Sequence, residues 1–167
     1  GTYSIELEFG GYKRTAQLHL PPQIGRDRTP MPLVLAFHGA GGSGAQLLKH
    51  YRWAAHATTQ GFAVLAPDGL PAHLTSAPNF FTNPRLWNSG QLPRHLQRAK
   101  VDDVAFVSAL LDVLDERRVF DPARLFVTGH SNGAGMSFRV AAEIPDRFLA
   151  VAPVAGMLAI PHPRPKH

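Results

Sequence analysis

The residues Gly129-His130-Ser131-Asn132-Gly133 place a serine between two glycines in the pattern G-x-S-x-G. A serine hydroxyl is a weak nucleophile until a base and a charge-stabilising site are built around it. A sharp strand-to-helix turn supplies part of that, because it lifts the central side chain clear of its neighbours in strained backbone geometry. Glycines on either side remove the Cβ clashes that such a turn creates. Alone the pattern is weak: with Gly and Ser each near 7%, chance yields about one match per twenty chains of this length. Its context is stronger. The apolar run Leu125-Phe126-Val127-Thr128 precedes it directly and a helical pattern, Asn132 to Ile144, follows until Pro145. Ser131 is the candidate nucleophile, and the Asn132 amide at the helix N-terminus is a candidate donor to developing negative charge.

A second donor is expected from a loop after an earlier strand. His38-Gly39-Ala40-Gly41-Gly42 follows the apolar run Leu33 to Phe37, so the Ala40 amide is the expected donor, with Gly41 as the alternative. A phosphate cradle is the competing reading of a glycine-rich loop, but neither G-x-G-x-x-G nor a Walker Lys-Ser/Thr is present. His130 adjoins Ser131 and points away from its hydroxyl, which suits packing or turn support; His38 reads as a loop-orienting residue. Asp102-Asp103 diverge as adjacent helical residues and read as capping charge. His50 and His56 share no helical face, and H-E-x-x-H is absent, so no metal site is assigned and the chemistry needs no cofactor. Residues 69–100 lack clear periodicity and carry Phe80, Phe81 and Trp87, placed to wall a cleft above Ser131. Trp87 is a candidate substrate contact there, or else an anchor of the loop on the core.

The elements that must position these residues are legible from periodicity. Tyr3 to Phe9 and Tyr12 to Leu20 alternate at period two about Gly10-Gly11, predicting a hairpin. Leu33 to Phe37, Phe62 to Ala66, Leu125 to Thr128 and Phe148 to Val154 are short, continuous apolar runs. They alternate with helical segments at Ala45 to Thr59, Asp102 to Arg117 and Asn132 to Ile144, the second carrying Val104, Val107, Leu111 and Leu114 on one face. Continuous apolar strands spaced by helices predict an α/β fold: a doubly wound, mostly parallel sheet with an antiparallel N-terminal hairpin.

Composition excludes several classes. The chain has 167 residues, 44% hydrophobic and 17% charged, enough apolar material for one core and too little charge for a disordered chain. No apolar run reaches the ~18 residues of a membrane span. With no cysteine there is no disulfide framework and no thiol nucleophile. The net charge of +5 is modest, and the basic stretch Arg85 to Lys100 lacks helical phasing and interleaved aromatics, so no nucleic-acid partner is expected. The chain opens at Gly1 with neither Met nor a leader, which leaves secretion open.

Leu35 to Ser43, Ala66-Pro67-Asp68-Gly69, Trp87-Asn88, Val101-Asp102-Asp103-Val104, Gly129 to Gly133, and Pro145-Asp146-Arg147-Phe148 through Gly156 together resemble the polyhydroxybutyrate depolymerase/feruloyl esterase group of α/β-hydrolases. The resemblance implies a serine esterase acting on a hydroxyalkanoate polyester or a feruloyl or acetyl ester, with an extracellular or periplasmic location. Rival readings are a prolyl-oligopeptidase-type serine peptidase and a non-catalytic remnant or binding module. That fold orders its triad Ser, then Asp/Glu, then His. After Ser131 the chain holds Asp146, in the turn that closes the following helix, and His162 and His167 in a proline-rich tail, none at a position the family would use. Residues 1–167 therefore read as one incomplete α/β-hydrolase domain without its C-terminal strands, 157–167 as its tail, and the isolated chain as nearly inactive. The strand 148–154 would then be an undefended edge, open to self-association or to a C-terminal remainder.

Overall fold

Alternation closes into a hairpin at the start of the chain. In the computed structural model, which describes residues 1–22 and 30–159, β1 (Thr2–Phe9) pairs antiparallel with β2 (Tyr12–His19), from Thr2 opposite His19 to Phe9 opposite Tyr12. Gly10 and Gly11 turn the corner at φ 60 and 79, the left-handed pair that a two-residue hairpin turn demands.

Three of the continuous apolar runs become the buried centre of a six-stranded sheet, and the fourth becomes its exposed edge. β3 (Met31–Phe37) and β4 (Ala63–Pro67) are parallel, β7 (Phe120–His130) runs parallel beside β3, and β8 (Ala150–Val154) parallel beside β7. β2 joins antiparallel to β4, so the order is β1-β2-β4-β3-β7-β8. Every residue of β4 is buried. One face packs Leu33, Leu35, Phe37, Leu65 and Val127 against α3 (Asp103–Glu116) and α4 (Asn132–Glu143), whose Val107, Leu111, Met136 and Val140 are fully enclosed. The other face packs Ala36, Val64 and Ala66 against Leu47, Leu48 and Ala57. The predicted mostly parallel α/β sheet with its antiparallel start is thus the observed architecture.

The helix expected over 45–59 is two helices, α1 (Gly44–His50) and α2 (Trp53–Gln60). Ser43 starts the first by accepting the Gln46 amide at 3.2 Å. The break falls at Tyr51-Arg52, where Arg52 turns left-handed at φ 61. It redirects the chain so that Trp53 and Ala57, one turn apart, both join the second core. Residues 69–100 also hold more order than their sequence suggests: a short ladder of β5 (Leu70–Pro71) with β6 (Arg85–Leu86), and a 3-10 turn over Gln97–Lys100.

Asp102 caps α3 as expected, accepting the Ala105 amide at 2.9 Å. Asp103 does not act as exposed capping charge. It is fully buried between Arg14 Nη2, at 2.9 Å, and Arg98 Nη2, at 2.5 Å, and also accepts the Asn88 amide at 2.7 Å. Arg14 lies 3.8 Å above the Phe106 ring, and Arg98 also donates to the Leu86 and Leu70 carbonyls. This network ties β2, the long loop and the start of α3 together. Among the described residues no helix is long and apolar enough to cross a membrane. The tail readings at His162 and His167 lie outside the described residues.

Candidate active site

β7 ends at His130 and α4 begins at Asn132, so Ser131 alone makes the turn. Its backbone sits at φ 54 and ψ −119, outside the regions that L residues favour. Two close approaches force this. A Cβ on Gly129 would stand 2.3 Å from the Gly133 carbonyl oxygen, and one on Gly133 would stand 2.4 Å from the Phe37 oxygen. The helix can therefore press against the end of β3 only with hydrogen at both positions. The Ser131 amide is held by the Val154 carbonyl at 3.0 Å, which ties the turn to β8. The Ser131 side chain is exposed, and among the described residues its hydroxyl has no hydrogen-bond partner.

Ser131 opens into a cleft of about 370 Å³ shared with Gly39, Ala40, His50, Tyr51, Phe80 and His130. Neither the Ala40 nor the Asn132 amide, the two expected donors, makes a hydrogen bond among the described residues. The alternative donor is engaged, since the Gly41 amide donates to the Arg85 carbonyl at 2.8 Å. Gly41 takes φ 77 beneath the Phe80 ring, where a Cβ would meet Cδ2 at 2.6 Å.

The loop that carries Ala40 is braced by the histidine before it. His38 is buried, its Nδ1 lies 2.7 Å from the Gly39 carbonyl, and its Nε2 accepts the Gly69 amide at 2.9 Å. Accepting at Nε2 requires the neutral ring with its proton on Nδ1. Burial pushes its pKa down, against the opposing pull of the Gly39 carbonyl and Asp68. Asp68 anchors the same corner, accepting from the Gly44 amide at 2.8 Å and the Thr15 hydroxyl at 2.7 Å.

Trp87 departs from the expected substrate contact. Its side chain has no exposed area, packs edge-on against Phe37 with centroids 5.0 Å apart, and donates from Nε1 to the His38 carbonyl at 3.0 Å. An apolar ring of that size gains more from enclosure than from a place on the cleft wall, and its N–H finds a buried acceptor there. Phe80, 59% exposed, lines the cleft instead, with Tyr51, 67% exposed, also on the wall. Tyr51 had no signal in the sequence, because it follows a helix break that periodicity did not reveal. Among the described residues no cluster of three His, Asp or Glu side chains is placed to hold a metal ion.

A strained serine between a parallel strand and a helix, facing a glycine-rich loop at the carboxyl edge of the sheet, defines an α/β-hydrolase. The chain belongs to the esterase family whose model carries the description "Putative esterase", matched over residues 9–163. It is 31% identical over 160 residues to "Putative esterase NocK" of Nocardia uniformis subsp. tsuyamanensis, covering 96% of this chain and 43% of that protein. Poly(3-hydroxyalkanoate) depolymerase C of Paucimonas lemoignei is 29% identical over 75% of this chain and 28% of its own length. Feruloyl esterase B of Thermothelomyces thermophilus is 25% identical over 90% and 47%. The chain thus spans less than half the length of these curated relatives. In fold it matches an S-formylglutathione hydrolase from Agrobacterium tumefaciens, with TM-score 0.74 and 16% identity over 94% of this chain and 58% of that one. A ferulic acid esterase matches with TM-score 0.70 and 15% identity over 97% and 61%.

Proposed function

We propose that this chain supplies the nucleophile and oxyanion hole of a serine ester hydrolase. Ser131 Oγ adds to the ester carbonyl and gives its proton to a general base. The tetrahedral oxyanion is held by the Ala40 and Asn132 amides. Collapse expels the alcohol, protonated by the same base now acting as acid, and leaves an acyl-enzyme. Water, deprotonated in turn, releases the carboxylic acid and restores Ser131. The base in this reading is a histidine outside the described residues, oriented by a carboxylate likewise outside them, and residues 1–167 are part of a longer domain. What carries the reading is a strained, exposed Ser131 that shares one cleft with the Ala40 amide, which makes no hydrogen bond among the described residues.

The substrate is a hydroxyalkanoate polyester or oligoester, or a feruloyl or acetyl ester. Names of relatives support it, and so does a cleft wall formed by Phe80 and Tyr51, whose rings suit an apolar acyl group. An extracellular or periplasmic location belongs to the same proposal. Assay of the full-length gene product against 3-hydroxybutyrate oligomers, methyl ferulate and p-nitrophenyl acetate tests it, with Ser131→Ala as comparison. Turnover on one ester class should fall on the order of 10⁶-fold in the variant. Equal rates for the two proteins would remove the nucleophile and leave a binding module.

A further inference from the structure

We infer that Trp87 sets the spacing between the two oxyanion donors, as the middle of a clamp that joins the Asn132 side chain to the His38 carbonyl. The inference rests on Ser131 being the nucleophile and deepens that reading by naming what holds its site in register.

The clamp begins at the residue that offers one of the donors. The Asn132 side chain pairs with the Trp87 backbone in both directions: Oδ1 accepts the Trp87 amide at 2.7 Å and Nδ2 donates to the Trp87 carbonyl at 3.1 Å. Nδ2 also reaches Ser89 Oγ at 3.2 Å. One hydrogen bond would leave a pivot; two in parallel fix orientation as well as distance. The indole Nε1 of Trp87 then donates to the His38 carbonyl at 3.0 Å, two residues before Ala40. Asn132, Trp87 and His38 therefore form a continuous link between the segments that carry the two amides.

A contact of opposite sense sits beside it. Gly133 abuts the Phe37 and His38 carbonyls so closely that a Cβ would lie 2.4 and 2.5 Å from them. That contact stops the two segments from closing, and the clamp stops them from separating. Packing alone would not call for an asparagine here, since an aliphatic side chain could fill the volume. The amide is needed because the buried Trp87 backbone presents both a donor and an acceptor. The consequence is specific to catalysis. Oxyanion donors act by being fixed where charge develops in the transition state, while the ground-state ester depends on them much less.

The test uses the full-length gene product. Asn132→Ala keeps the backbone amide and opens one end of the clamp; Trp87→Phe keeps a buried ring and opens the other. Each should lower kcat roughly 10-fold with KM within about two-fold. Inhibition by phenylboronic acid, which forms a tetrahedral adduct on a nucleophilic serine, should weaken in step with kcat. The double variant should be little worse than the poorer single one, because both open the same link. Kcat within about two-fold of wild type in Asn132→Ala, or losses that multiply in the double variant, would overturn the clamp. If circular dichroism shows Trp87→Phe unfolded, Asn132→Ala decides by itself, through the split between kcat and KM and the boronate response. Full activity in Ser131→Ala would instead sink the nucleophile; an inactive Ser131→Ala beside unaffected clamp variants sinks the clamp alone.

Discussion

Ser131 keeps a backbone conformation that costs a non-glycine residue about 1–3 kcal/mol, and the surrounding close contacts leave it no alternative. Glycine adopts such angles freely but loses about 0.5–1 kcal/mol to chain entropy. Ser131→Gly should therefore be more stable than Ser131→Ala by roughly 1 kcal/mol while equally inactive. A lower melting temperature for the glycine variant would contradict the strain. His38 makes a second prediction at this scale. Burial lowers its pKa from the ordinary 6.5, so the unfolded chain takes up a proton more readily than the folded one. Its contribution is intact above pH 6.5 and is lost as pH falls below that value toward its folded pKa. Urea midpoints from about pH 7.5 to about pH 5 should drop more steeply for wild type than for His38→Gln. Parallel curves would show that the imidazole does not report on folding.

At the scale of elements, the long loop after β4 is held by charge rather than by a core of its own. Asp103 is the single carboxylate between two buried guanidiniums, and both of its oxygens are used. Asp103→Asn removes the carboxylate that ion-pairs with both Arg14 and Arg98, and should cost about 3–5 kcal/mol in a denaturant titration. A loss below about 1 kcal/mol would mean that packing alone holds the loop. The loop matters to the site because β6 runs directly into Trp87. Loosening it should therefore lower kcat as well as stability, which links the two measurements.

For the whole molecule, the sheet is defended unequally at its two ends. β1 carries Glu6 and Glu8, with Lys13 opposite Glu8 on β2, and Lys13 pairs with Glu6 at 2.8 Å. Alternating charge of this kind discourages edge-to-edge pairing. β8 has none; its own Val151 and Val154 are exposed, as are Leu149, Met157 and Leu158 beside it. A polypeptide of these 167 residues by itself should associate or aggregate despite its net charge of +5, as light scattering after size exclusion would show. A cooperatively unfolding monomer would mean that residues beyond Val154 cover the edge. The same polypeptide should hydrolyse short p-nitrophenyl esters only feebly, since among the described residues no histidine is hydrogen-bonded to Ser131.

What the sequence determined by itself was whatever local physics dictates. Period-two alternation about Gly10-Gly11 gave the hairpin. Val104, Val107, Leu111 and Leu114 gave the buried face of α3, and the G-x-S-x-G turn located Ser131 between a strand and a helix. Each depends on neighbours within one or two turns of chain. Tertiary structure decided the rest, because the partners are remote. Asp103 reads as capping charge until Arg14, 89 residues away, meets it. Trp87 is an exposed ring or a buried one according to whether His38 and Asn132, 49 and 45 residues away, offer it a place. Between Ala40 and Gly41, only the Arg85 carbonyl, arriving from across a loop, settles which amide stays free. Hydrophobic periodicity is a property of a segment, whereas pairing of buried polar groups is a property of the assembled fold.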